Sequence, residues 1–112
     1  MFFISHDGDT IGTSALESGD PEQMSVSGVF ANMGGAKALS GWIKSIGGQE
    51  EDGATFVALD KSFALFDAEG TVLEFSEGTL IAVPETDETY IEFVGISNEN
   101  YQKYFPKHLA SI

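Results

Sequence analysis

The 112-residue chain has no cysteine and no arginine, its cations are five lysines (37, 44, 61, 103 and 107), and histidine occurs only at positions 6 and 108. Without cysteine there are no disulfide staples, no thiolate zinc site and no thiol nucleophile. Without arginine the planar fork that grips phosphate or carboxylate bidentately is missing. Five lysines against 18 acidic residues cannot form the cationic cluster that displaces counterions from nucleic acid. Direct nucleic-acid binding and adhesion to an anionic membrane surface are therefore not expected. No run approaches the ~18 apolar residues of a membrane-spanning helix. The opening Met1-Phe2-Phe3-Ile4-Ser5-His6-Asp7 lacks the basic segment of a secretory signal, so a cytoplasmic location is expected.

What is abundant is negative charge on an otherwise globular composition. The formal net charge is −13, yet 42% of the residues are apolar, including nine Phe, three Tyr and one Trp. That share is too high for a disordered acidic tail, so the charge must be carried on a folded surface. The length suits one domain spanning 1–112, since domains cluster near ~100–150 residues. Residues 50–99 hold 13 of the acids and only one cation, Lys61.

Periodicity predicts an α+β fold with a mainly antiparallel sheet. Met1 to Ser5 reads as a strand that turns at Asp7-Gly8, a pair suited to the positive φ values of a tight hairpin, with Ile11 and Thr13 in the partner strand. Met24, Val26, Gly28 and Phe30 alternate with other residues as a strand does. A helix over about 33–46 follows from Leu39, Trp42, Ile43 and Ile46 on one stripe, with Asn32 as its cap and Gly47-Gly48 as its stop. Residues 55–96 read as a β-meander of five strands joined by turns at Asp67-Ala68-Glu69-Gly70 and Glu77-Gly78, whereas 47–53 reads as a loop. A second helix over about 98–105, capped by Ser97 or Asn98, should stop near Pro106.

No constellation of catalytic residues is evident, and a non-catalytic role is expected. His6, Asp7 and Asp9 lack the spacing of a calcium loop, because Thr10 stands where that loop needs Gly and Leu16 where it needs Glu. No Gly-x-Ser-x-Gly elbow, phosphate-binding loop or metal-ligand set is present, and neither metal nor cofactor is expected. The leading expectation is an acidic interaction or regulatory module. In an up-and-down meander, turns at one end would gather Glu50, Glu51, Asp52, Asp67, Glu69, Glu85, Asp87 and Glu88 against a basic protein surface or a cationic ligand.

The alternative is a small ligand-binding protein or small enzyme whose aromatic, carboxylate-lined pocket uses Trp42, Glu74, Tyr90 and Glu92. The Gly-x5-Pro spacing of Gly78 and Pro84 is similar to the second conserved motif of cupins. Where that motif continues to Gly and a metal-binding His, this chain has Thr86 and Thr89, so the resemblance implies a metal-free cup. Apolar residues on both faces of Phe63–Phe66 and Leu80–Val83 predict a homodimer, through a patch including Phe66, Val72, Ile81 and Val83.

Overall fold

The computed structural model describes residues 1–32 and 34–110. The predicted α+β class is the observed one. Among the described residues ten strands form two antiparallel sheets, with three helices beside them.

The chain opens with a hairpin, β1 (Phe2–His6) and β2 (Asp9–Ser14), whose turn is Asp7-Gly8 as predicted, with φ of 50° and 87°. Then come β3 (Ser18–Asp20) and β4 (Ser25–Val29), α1 (Gly35–Ser45), and β5 (Gln49–Glu51) with β6 (Ala54–Ala58). After them are β7 (Phe63–Phe66), β8 (Val72–Leu73), β9 (Glu77–Val83), β10 (Glu88–Val94), α2 (Asn98–Tyr104) and α3 (Pro106–Ala110). The small sheet runs β2-β1-β7-β8 and the large one β3-β4-β10-β9-β6-β5. An isolated bridge between Thr13 and Ala31 joins them at one corner.

The strands expected of a single meander are thus divided. After β6 the chain leaves the large sheet through a turn in which the Asp60 carboxylate accepts from the Ser62 amide at 2.8 Å. β7 then pairs with β1, His6 against Phe63 and Phe3 against Phe66. The chain returns as β9, which inserts between β6 and β10. Burial explains the excursion: Phe63 and Leu65 face inward from the small sheet onto the core that Leu80, Ile91 and Phe93 build from the large one. Glu77-Gly78, expected as a hairpin turn, opens β9, and β8 is only two residues long. Residues 49–51, read as loop, form an edge strand. Neither sheet closes into a barrel, so the cupin-like cup has no counterpart in the fold.

One core cluster fills the space between the sheets and helices. Ile4, Leu65 and Leu73 enter it from the small sheet, Val26, Leu80, Ile91 and Phe93 from the large sheet, Leu39 and Ile43 from α1, and Tyr101 and Phe105 from α2 and its end. Each such side chain contributes roughly 1.5–3 kcal/mol relative to exposure.

Local chemistry sets the helix ends. Met33, where α1 was expected to start, lies outside the described residues. Asn32 does not cap α1; its side-chain amide donates to the Gly35 carbonyl at 3.2 Å. Gly34 occupies the cap position without a side-chain bond, and the Ala36 amide is taken by Asp87 from the β9–β10 turn at 2.9 Å. Ser97 caps α2 as expected, accepting from the Asn100 amide at 3.2 Å. Pro106 ends that helix but also opens α3, since a first-turn proline loses no helical hydrogen bond.

Candidate functional site

α1 packs against β6, β9 and β10, and the side chains on that face of the large sheet (Thr55, Leu80, Ala82, Ile91 and Phe93) are buried. Strand alternation therefore turns Phe56, Thr79, Ile81, Val83, Glu88, Tyr90, Glu92 and Val94 to the opposite, outer face.

The register aligns these outer residues in rows. Gln49 pairs with Phe56, Phe56 with Ile81, Ile81 with Tyr90, and Tyr90 with Val29. Phe56, Ile81, Tyr90 and Val29 thus form one apolar row across four strands, with Val29 54% and Tyr90 37% exposed. On one side of it stand Glu88, and Glu51 opposite Ala54; on the other stands Glu92, opposite Thr79 and Ser27. Glu77, opposite Val94, lies further along the same face. The six strands of this sheet contain no lysine, arginine or histidine.

The acids nominated from sequence divide between this sheet and the other. Thr55 pairs with Ala82, so the β5–β6 turn that holds Asp52 lies at the same end as the β9–β10 turn that holds Glu85 and Asp87. Glu50, Glu51 and Glu88 flank those turns. Asp67 and Glu69 do not join them. They occupy the β7–β8 turn of the small sheet, where the Tyr104 hydroxyl of α2 donates to Asp67 at 2.7 Å. The other end of that sheet sits under α1, with His6 against Trp42 at a ring-centroid distance of 5.1 Å. Interrupting the meander is what separates the two turns.

Several of the nominated carboxylates already have partners. Glu50 points toward the α1 side and pairs with Lys44 at 2.5 Å, while Asp87 caps α1. Glu88 accepts from the Tyr90 hydroxyl. Bonds from the Thr86 and Tyr90 hydroxyls hold its carboxyl below the usual carboxylate range, and the same Glu88 contact raises Tyr90 above the usual phenol. In the small sheet, the Tyr104 hydroxyl and then the Thr71 amide lower Asp67.

The alternative pocket is not assembled. Tyr90 and Glu92 lie on the outer face of the large sheet, whereas Trp42 belongs to α1 on its inner side, edge-on to His6 and Phe63. Glu74 follows β8 in the small sheet, beside Leu73 and Phe75. Trp42 instead borders a cavity of about 600 Å³ between β2 and α1, with Ile11 and Leu39, and no acidic residue is among its described lining. The two histidines are also apart, because His108 stacks on Phe105 with Nε2 2.9 Å from the Leu16 carbonyl. Among the described residues no group of three His, Asp or Glu is placed to hold a metal ion. The apolar patch expected at a dimer contact is split, Phe66 and Val72 pairing in the small sheet and Ile81 and Val83 lying in the large one.

No protein-family model, curated protein or solved structure matches this chain.

The apolar row was not legible in the linear sequence, because only Ile81 and Tyr90 come from consecutive strands, while Val29 and Phe56 are brought beside them by long-range pairing. The signal present was local: Glu88, Tyr90 and Glu92 alternate along one strand.

Proposed function

We propose that this protein is a non-catalytic interaction module that engages a basic protein surface through the outer face of its large sheet and the adjoining carboxylate-rich turns at Asp52 and Glu85. One observation carries the reading: an apolar row in which Val29 and Tyr90 are exposed and Phe56 and Ile81 half-buried, bordered by Glu51, Glu88 and Glu92 on a sheet without a cation. Apolar area at the centre with charge at the rim is the general layout of a protein interface. The charge of one sign steers an oppositely charged partner and rejects like-charged ones. A protein partner fits better than a small cation, because the row is laid across four strands and is not gathered into a cup. Glu50 and Asp87, engaged with Lys44 and the α1 amide, serve the fold.

The test is capture of partners by the immobilised protein over a salt series, comparing wild type with the Glu88→Lys/Glu92→Lys double variant and with Glu69→Lys/Glu99→Lys. The last pair makes the same change in net charge away from the face. Loss of a basic partner with the first pair only, and weakening above ~0.15 M salt, where the screening length falls below about 8 Å, are the expected results. Equal retention by both double variants would defeat the proposal.

A further inference from the structure

The occupant of this face can be specified further, on the reading of a basic protein partner. We infer that the large sheet's outer face receives a basic amphipathic α-helix lying across the strands, its apolar stripe on Val29, Tyr90, Ile81 and Phe56 and its lysines or arginines directed to Glu88 and Glu51 on one flank and Glu92 on the other.

Spacing is the first argument. Neighbouring strands are ~4.8 Å apart, so the four-residue row is about 14 Å long. A helix rises ~1.5 Å per residue and repeats its apolar stripe every ~5.4 Å, so about ten residues cover the row with a side chain near each member. An extended strand repeats its same-face side chains every ~6.8 Å and falls out of step within two positions. Along β10 the flanking carboxylates are two residues from Tyr90 on either side, roughly 7 Å away, which is within reach of lysine or arginine stems on the borders of a helical stripe.

Charge is the second argument. A second copy of this chain would set Glu51, Glu77, Glu88 and Glu92 against the same four residues, so the complement must be cationic. Addition of a partner strand at the sheet edge is disfavoured by the edges themselves. β3 and β5 are three residues each, and β5 carries Glu50 and Glu51. Laying an amphipathic helix on a hydrophobic surface is a common mode of recognition and is read as apolar anchors at i, i+3, i+4 and i+7.

The probe is a labelled 14-residue leucine–lysine peptide with leucines at those positions, compared by fluorescence anisotropy with a scrambled isomer of the same composition. The amphipathic peptide should bind at least about tenfold more tightly than the scramble, a difference of ~1.4 kcal/mol. Tyr90→Lys and Val29→Lys, both at exposed positions, should each remove most of that preference, while Glu69→Lys leaves it unchanged. Far-UV circular dichroism should show helix induced in the peptide on binding. If both peptides bind equally and Glu88→Lys/Glu92→Lys weakens both, the basic-partner reading stands and the helical occupant is wrong. If no outer-face variant affects either peptide, both readings fall.

Discussion

Asp87 joins two parts of the chain that are 51 residues apart, and its replacement tests whether α1 depends on the β9–β10 turn. Its carboxylate accepts from the Ala36 amide at 2.9 Å, and its own backbone sits at φ 54° and ψ 40°. Removing a capping oxygen costs about 1 kcal/mol, and removing an anion from the positive end of a helix a further ~0.3–1 kcal/mol. A side chain that cannot bond locally adds roughly 1 kcal/mol in the left-handed region. Asp87→Ala should therefore destabilise by about 2–3 kcal/mol. Asp87→Gly relieves the backbone but loses the cap, for about 1–1.5 kcal/mol. Asp87→Asn keeps an acceptor and tolerates the conformation, for about 0.5 kcal/mol that shrinks with added salt. Urea unfolding followed by the fluorescence of Trp42, the single tryptophan and itself on α1, measures the series directly. The order wild type, Asn, Gly, Ala is expected. A Gly variant no more stable than Ala, or an Ala variant indistinguishable from wild type, would refute the capping argument.

Three further outcomes follow from local geometry. Tyr104→Phe should let the Asp67 carboxyl return toward its ordinary 3.8, read by NMR titration, because the Tyr104 hydroxyl is the largest cause of its depression. Since the folded-state value is the lower one, the contact's contribution is present above the ordinary value and lost as pH falls through the depressed one. Wild type and variant should thus differ at neutral pH and converge in acid; an unchanged Asp67 titration would contradict this. Gly12→Ala should destabilise by about 1–3 kcal/mol, since a Cβ there would lie 2.4 Å from the Phe30 ring and 2.5 Å from the Ala31 carbonyl oxygen. A neutral result by urea unfolding would mean the two sheets are not held this closely. Tyr101→Phe should cost about 1–3 kcal/mol, because it removes the buried donor that reaches the Ser25 carbonyl at 3.1 Å, and a shift in thermal midpoint would report it.

Much of the fold could be read locally because its causes are local. Asp7-Gly8 turns where its left-handed φ values permit, Ser97 caps the helix it precedes, and alternation along 88–94 marks a strand with one buried face. The helix over 35–45 also follows from its own stripe of apolar residues. Its cap did not, because the oxygen that replaces Asn32 arrives from Asp87. The edge strand at Gln49–Glu51 is not legible in the sequence for a related reason: three exposed polar residues have no period to detect, and only pairing with β6 makes them a strand.

The candidate site shows the same division at larger scale. Composition alone determined that the protein is acidic, rich enough in apolar residues to fold, and without the cysteine or arginine that many chemistries need. Which carboxylates stand together was decided by sheet assignment. Short-range patterning makes β7 look like the next strand of a meander, but packing Phe63 and Leu65 over the core sends it to the other sheet and takes Asp67 and Glu69 with it. The same excursion lets β9 insert beside β6, which brings Phe56 next to Ile81 and completes the apolar row. Alternation determines which face a side chain takes along its own strand; only long-range pairing determines its neighbours across strands.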